Sequence, residues 1–382
     1  MIGSSWILGV AMVPFSRLLT ALSEVPDPRR AEGRRYPLAP LLLFTVLALL
    51  SGATSYRRII IFLDQRRIVL NEVFGFALKR APSVNTLRTV LQDLDGDALE
   101  QAFRRHAGGL LPAVEPGRMP VIALDGKTLK GSFDHLNDRK AAQALSAFAS
   151  EAAILLAHSE IDVKSNEIPA AQRMIAELGL AGVLFTADAL HCQKTFEAAR
   201  DSGNALLVQV KANQPTLLAT LEGIAATQSP AERFKSVDPR SHGRHETREV
   251  ETFDVQGKLD AEWDSLIVQA ARVTRLTWHK DTKSGFWHET EEISFYACQV
   301  ALGAQAFGEA VRNHWGIENR SHYVRDVTFG EDASRTRIKP THFARFRSFA
   351  INILRANGVE NVARELYINA LNFDNALAYR VT

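Results

Sequence analysis

Residues 121–125 have the sequence Val-Ile-Ala-Leu-Asp, and residues 183–188 have the sequence Val-Leu-Phe-Thr-Ala-Asp. Both are short apolar runs of the kind that form buried strands, so we expect strands at Val121–Leu124 and Val183–Thr186. The neighbouring patterns predict three more strands and two helices: strands at 141–150, 153–161 and 206–210, and helices at 168–178 and from about Gln193. Strands interleaved with helices in this way predict a mixed α/β sheet.

The first 110 residues show helical rather than strand patterning. We expect helices at Leu41–Leu50, at Tyr56–Asp64, after a capping Ser83 and after Asp97. Residues 1–120 carry 15 Lys and Arg against 10 Asp and Glu. Short helices with exposed arginines suit a DNA-binding module, although a helical packing or dimerisation domain would have the same pattern.

The charge is unevenly distributed, although the whole chain carries only +2. Residues 301–382 hold 11 basic against 8 acidic residues, whereas residues 121–300 hold 19 basic against 25 acidic. Basic ends around an acidic centre suit a protein that contacts phosphates with its flanks and holds cations in its middle. Ordinary charge scatter is the alternative.

Length and composition limit the class of protein. A chain of 382 residues predicts two or three domains. The two cysteines, Cys192 and Cys298, form no CxxC pair, which argues against a disulfide framework or a structural zinc site and favours a cytoplasmic setting. The opening MIGSSWILGVAMV lacks the basic region of a signal peptide. Leu41–Leu50 is about half the ~20 residues that span a bilayer, so we expect a buried helix.

Three acidic residues form the candidate site. Ligands of open α/β sheets bind beyond the carboxyl ends of strands, where Asp125 and Asp188 are predicted to face each other. A predicted helix at Ala304–Val327 would place His314, Glu318, His322 and Arg325 on one polar face. Each acid also has an ordinary interpretation, because an Asp after a strand commonly caps a turn and a helical Glu is usually solvated. The two histidines around Glu318 could mimic a zinc site, but no third ligand is apparent nearby.

These residue types suit phosphoryl transfer. Two Mg²⁺ ions roughly 3.5–4 Å apart can activate an attacking oxygen and stabilise the leaving oxygen. Mg²⁺ prefers hard oxygen ligands, which carboxylates supply and thiols do not. Basic neighbours would neutralise the phosphate oxygens.

Several sequence blocks together resemble the DDE-class transposases of bacterial insertion sequences, in the ISAs-type branch that includes the H-repeat-associated proteins. The resemblance extends from about Phe15 to Gly358. The blocks are VPDPRRAEGRRYPL, ALDGKTLKGS, VKSNEIPA, TADALHCQ, VKANQPTL, HGRHETR and HWGIENRSHYVRDVTFGEDASR. No single block is specific for this family, but together the blocks are highly specific.

The resemblance implies that Asp125, Asp188 and Glu318 are the catalytic residues and bind two Mg²⁺ ions, for which Mn²⁺ can substitute. It implies an RNase H-like core and DNA as the partner, both transposon ends and target DNA. We further expect a homo-oligomer on DNA, a nucleoid-associated cytoplasmic location and no membrane. The expected division is a helical N-terminal domain at 1–110, a core in two parts at 118–215 and 301–360, a β-rich insertion at 216–300 and a tail at 361–382.

Eight basic residues are candidate DNA contacts: Lys127, Lys130, His314, Arg325, Arg29, Arg30, Arg34 and Arg35. The chain has Tyr323 and Arg325 where the resembled family usually has tryptophan and leucine. Related transposases often carry a lysine seven residues after the glutamate, so Arg325 is expected to contact a phosphate. The expected activity is cutting at transposon ends and joining the 3′-OH to target DNA. The alternatives are a DNA nuclease without strand transfer and a non-catalytic DNA-binding descendant of a transposase.

Overall fold

The computed structural model describes residues 15–115, 117–133, 140–161, 167–188, 193–238, 243–281 and 284–381. Two features of the sequence lie outside the described residues: the opening segment MIGSSWILGVAMV and Cys192. The helices are α1 (Ser16–Ser23), α2 (Leu38–Leu50), α3 (Tyr56–Phe74), α4 (Val84–Asp93), α5 (Gly96–Leu110), α6 (Glu167–Glu177), α7 (Gln193–Asp201), α8 (Pro215–Thr227), α9 (Ala261–Asp264), α10 (Ala304–His314), α11 (Pro340–Ala356), α12 (Val362–Leu371) and α13 (Phe373–Leu377). The strands are β1 (Val121–Thr128), β2 (Gln143–Ala149), β3 (Ile154–Ile161), β4 (Leu184–Ala187), β5 (Ala205–Val210), β6 (Glu232–Asp238), β7 (Arg244–Asp254), β8 (Gln269–Lys280) and β9 (Trp287–Cys298).

Internal contacts divide the chain into two compact units. The helical unit comprises Met1–Pro112, Leu129–Ala141 and Tyr323–Thr382, and the sheet unit comprises Ala113–Thr128 and Ala142–His322. The segment 301–360, expected as the second part of the core, is therefore divided between the units at Tyr323.

The helical unit is built around α2 and α11. Helix α2 is apolar on every side, and twelve of its thirteen residues are buried, as expected for a helix surrounded by protein. The stretch 31–50 is long and apolar enough to cross a membrane, but most of it is buried within the protein. This burial accounts for its apolar composition without a membrane. Helices α1, α3 and α12 pack against α2, while α4 and α5 pack against α11.

The predicted start of α4 is confirmed, because the Ser83 hydroxyl accepts a hydrogen bond from the amide of Thr86 at 3.0 Å. Helix α5 begins earlier than expected. Its N-cap is Asp95, whose carboxylate accepts from the amides of Asp97 and Ala98. The helix continues to Leu110, the last residue of the expected N-terminal domain.

The sheet unit contains one nine-stranded mixed sheet in the order β3-β2-β1-β4-β5-β9-β8-β7-β6. Strands β1, β2 and β3 pair antiparallel, while β1, β4 and β5 are parallel. This arrangement of the first five strands is RNase H-like, so the predicted fold class is confirmed. The β-rich segment 216–300 supplies β6–β9, which continue the same sheet through an antiparallel pairing of β9 with β5.

Near the site, one predicted boundary and one predicted helix type are wrong. Strand β1 does not end before Asp125 but runs to Thr128, because its pairing with β2 continues until Thr128 lies opposite Gln143. The predicted helix Ala304–Val327 begins at Ala304 as the α-helix α10, which ends at His314, and most of the remaining helix is π-helical, at Glu318–His322 and Val324–Thr328. A π-helix has i→i+5 hydrogen bonds and wider turns, so positions seven apart no longer share a face.

Candidate active site

Asp125 and Asp188 lie side by side on neighbouring parallel strands. Leu124 of β1 is paired with Ala187, the last residue of β4. Asp125 and Asp188 each follow directly after this pair. Neighbouring strands lie about 4.8 Å apart, which brings the two carboxylates to one place on the sheet. The side chain of Asp125 is about a quarter exposed (26%), and that of Asp188 is about half exposed (46%).

Glu318 comes from the helix that crosses the sheet. Ala304, Phe307, Ala310 and Val311 of α10 are buried in a core that includes Leu184 and Leu207 of the sheet. Ile317 is also buried, whereas the neighbouring Glu318 is exposed. Glu318 opens the first π-helical segment, and such segments recur at functional sites.

A fourth acid, Glu167, was not predicted from the sequence. It is the first residue of α6, and its carboxylate lies against the backbone of Gly126, so closely that a Cβ at position 126 would overlap its Oε1 atom. Glycine at 126 therefore gives Glu167 room beside Asp125. Glu167 belongs to the block VKSNEIPA, which was quoted for the resemblance without a role for its acid.

The four acids affect one another electrostatically. Burial raises the pKa of Asp125 to about 7, and the negative charges of Glu167, Glu318 and Asp188 contribute to the rise. The pKa of Glu167 is also raised, first by burial and then by the charge of Asp188. A cluster of acids that resists ionisation is suited to a positively charged ligand.

Two basic residues contact the aspartates. The ammonium group of Lys211, just after β5, lies 2.8 Å from Oδ1 of Asp188. The Nδ1 atom of His322 lies 3.3 Å from Oδ2 of Asp125. Lys211 was also missed from the sequence, although it stands in the quoted block VKANQPTL.

His314 lies near the acid cluster, but its imidazole ring is uncharged. Its Nδ1 atom is 3.0 Å from the hydroxyl of Thr186 on β4. Burial lowers its pKa to about 4, a change that the nearby Asp188 only partly opposes. The imidazole is therefore neutral near pH 7, so it can donate a hydrogen bond to a phosphate oxygen but cannot neutralise the phosphate charge.

Arg325 does not lie on a polar face with Glu318, contrary to the sequence prediction. It is completely buried in the helical unit, and its Nη2 atom is 2.8 Å from Oε2 of Glu331. Arg347 pairs with the same carboxylate at 3.0 Å. The widened π-helical turns explain the misplacement, and in this arrangement the guanidinium of Arg325 is not accessible to DNA.

The other basic candidates differ in exposure. Lys127 is buried on β1, whereas Lys130 is largely exposed and pairs with Asp332 at 3.1 Å within the helical unit. Arg29 is held by Asp27 and by the carbonyl of Tyr36. Three candidates in the same loop are exposed: Arg30, Arg34 and Arg35.

The donor set of the site suits divalent metal ions. All four acids offer hard carboxylate oxygens, and their mutual repulsion would be relieved by a cation. Among the residues that the structure describes, no three acidic, histidine or cysteine side chains converge closely enough to form a ligand set as they stand. An ion at this site would share Asp125 with His322 and would compete with Lys211 for Asp188.

The fold and the site define an RNase H-like protein with carboxylates clustered beside two central strands, β1 and β4. Comparison with known families is consistent with this class: residues 116–366 match the transposase DDE domain, and residues 19–107 match the DDE_Tnp_1-associated domain. The chain belongs to the DDE transposase family. Members of this family generally use divalent metals.

The similar proteins include two from Escherichia coli. The chain is 30% identical to "Putative transposase YncI" of strain O157:H7, covering 94% of each chain. It is 29% identical to "H repeat-associated putative transposase YhhI" of strain K12, covering 88% of this chain and 90% of the relative. Among solved structures, a piggyBac transposase synaptic complex with hairpin DNA aligns with 11% identity and a TM-score of 0.37, covering 95% of this chain and 79% of that chain.

Proposed function

We propose that this protein cuts DNA at the ends of a bacterial insertion sequence and joins the freed 3′-OH to target DNA. The observation that carries the proposal is the register of β1 and β4, which sets Asp125 beside Asp188 with Glu318 within electrostatic reach. Membership of the DDE transposase family supports the proposed reaction, and the matched region, residues 116–366, contains all three acids.

Asp125, Asp188 and Glu318 would hold the divalent ions, and Glu167 would be a fourth acid at the same place. The chemistry that bound Mg²⁺ supplies is activation of the attacking oxygen and stabilisation of the leaving oxygen. His322 orients Asp125, since its ring contacts that carboxylate. Lys211 neutralises Asp188 in the free protein and becomes available to a DNA phosphate once Asp188 takes another partner.

DNA recognition would involve the arginine-rich loop before α2. Arg30, Arg34 and Arg35 are exposed there, and guanidinium groups bind phosphate oxygens in a planar fork. Arg29 braces the loop through Asp27 and Tyr36. Such contacts make binding strongly salt-dependent.

The test compares the wild type with Asp125→Asn, Asp188→Asn and Glu318→Gln on a plasmid that carries the element's own ends. We expect Mg²⁺-dependent cutting and strand transfer by the wild type and at least a 100-fold loss in each variant, while end binding is retained because it depends on phosphate contacts elsewhere. Pre-cut ends with a target plasmid separate transfer from hydrolysis. Cutting without joining would identify a nuclease, and binding without cutting would identify a DNA-binding descendant.

A further inference from the structure

A groove in the helical unit has the composition of a site for anions. Its volume is about 650 Å³, which is larger than the two cavities beside Asp188 and Tyr296 in the sheet unit. Its walls contain three arginines, five hydroxyl-bearing residues and two aromatic rings. The lining residues are Thr54, Ser55, Tyr56, Arg88, Gln92, Gly330, Ala333, Ser334, Arg335, Thr336, Arg337, Ile338 and Phe343. No carboxylate occurs among these described lining residues.

The three arginines of the groove come from two separate segments of the helical unit. Arg88 is an exposed residue of α4, with its guanidinium carbon 6.0 Å from the ring centre of Tyr56. Arg335 and Arg337 belong to the segment 330–338, which follows the second π-helical turn, and both are exposed. Tyr56, which is partly buried, lines the same groove and packs on the buried ring of Phe343, with ring centres 4.9 Å apart.

The segment 330–338 is fixed in place by contacts within the helical unit. Glu331 is buried between Arg325 and Arg347, and Asp332 pairs with Lys130. The Cα of Gly131 lies so close to the carbonyl oxygen of Ser334 that a Cβ would overlap it. The arginines of this wall are therefore presented by a braced segment rather than by a free loop.

The region behind the aromatic rings is also positively charged. Arg325 and Arg347 are both almost completely buried, and both pair with the carboxylate of Glu331. The guanidinium of Arg347 lies 4.3 Å from the ring centre of Phe343. This excess charge adds to the attraction that the groove exerts on an anion, because burial weakens its screening by water.

We propose that the groove binds an unpaired segment of the DNA strand, with phosphates on Arg88 and Arg335 and a base against Tyr56. Arginines along a groove with aromatic rings between them are the general means of holding single-stranded nucleic acid. A single strand suits the groove better than a duplex, because an unpaired base is free to stack on an aromatic ring, whereas the bases of a duplex are already stacked and paired. The choice of DNA rests on the proposed function.

The test measures binding of a fluorescent twelve-residue deoxythymidine oligonucleotide to the full chain in EDTA, where no cutting can occur. Arg88→Gln and Arg335→Gln should each weaken binding at least tenfold and lower the salt dependence by about 0.7, the contribution of one phosphate of a single strand. The matched control is Arg364→Gln, an exposed arginine of α12 outside the groove, which should change binding less than twofold. Unchanged melting temperatures would exclude unfolding.

A second measurement needs no variant. An oligonucleotide containing 5-iododeoxyuridine should crosslink to Tyr56 on irradiation, and peptide mass spectrometry locates the attachment. The proposal would be overturned if all three arginine variants lost oligonucleotide affinity equally, or if crosslinks formed only at residues other than Tyr56. Equally strong competition by a twelve-base-pair duplex or by thymidine monophosphate would overturn it as well. Both binding assays are done without metal, so their outcome is independent of the cutting assay. The groove proposal can therefore fail while the proposed function holds, and the proposed function can fail while the groove binds DNA.

Discussion

The acid cluster makes a quantitative prediction about Asp125. The pKa of its carboxyl is raised from 3.8 to about 7 in the folded protein, first by burial and then by Glu167 and Glu318. The folded state therefore holds the proton more tightly than the unfolded state does. By linkage, the free energy of unfolding falls as the pH rises from about 4 to about 7 and is level above that range.

The size of the effect follows from the shift. One pKa unit corresponds to 1.36 kcal/mol, so a rise of about three units costs the metal-free fold at most about 4 kcal/mol at pH 8. Asp125→Asn removes this cost because the amide cannot ionise. We expect the variant to be more stable than the wild type by about 1–4 kcal/mol at pH 8 and nearly equal to it at pH 4.

The assay is urea unfolding of both proteins in EDTA at pH values from 4 to 8.5, followed by the same series with Mg²⁺. Added Mg²⁺ should stabilise the wild type more than the variant, because the charge that attracts the ion is missing from the variant. Glu177→Gln, a change at the far end of α6, controls for the general effect of removing an acid. A variant less stable than the wild type at pH 8, or a difference independent of pH, would refute the reasoning.

Three further predictions follow from single contacts. In urea unfolding, Glu331→Gln should destabilise the protein more than Arg325→Leu, by about 2 kcal/mol or more. Glu331→Gln removes the carboxylate that two buried guanidinium groups share, whereas Arg325→Leu leaves the pair of Glu331 with Arg347 intact. Equal losses of stability in the two variants would contradict this prediction. Gly126→Ala should displace Glu167 and reduce Mg²⁺-dependent cutting at least tenfold, while duplex binding stays within twofold; full activity would show that Glu167 is not needed. Lys211→Met should tighten Mn²⁺ binding up to about fivefold in calorimetry, because an exposed ion pair worth 0.2–1 kcal/mol no longer competes for Asp188; weaker binding would contradict the competition.

Local patterns were sufficient to predict the strands that form the site. Apolar runs before Asp125 and Asp188 correctly indicated neighbouring strands, because a buried strand needs an uninterrupted apolar stretch. The end of β1 was misplaced, since the polar residues after Leu124 are stabilised in a strand by pairing with β2. Pairing between distant segments leaves no local trace in the sequence.

Glu167 and Arg325 could not be placed for different reasons. Glu167 reaches Asp125 only through the packing of α6 beside β1 and the space that Gly126 leaves, so its role depends on tertiary structure. Arg325 was placed by assuming 3.6 residues per turn, and two π-helical segments invalidate that assumption. Its partner Glu331 lies six residues further along the chain, beyond the helix.

Each unit contains a charge cluster that the protein does not fully neutralise, and the two clusters have opposite signs. In the sheet unit, four carboxylates come from four separate elements, and their repulsion contributes to the raised pKa of Asp125. In the helical unit, two buried arginines share Glu331 behind a groove lined by three more arginines. Uncompensated charge lowers the stability of a fold unless a ligand offsets it. Such clusters are therefore expected where ligands bind: cations at the acids, and phosphates at the arginines. A metal-dependent reaction at a DNA backbone, as proposed above, needs both kinds of site.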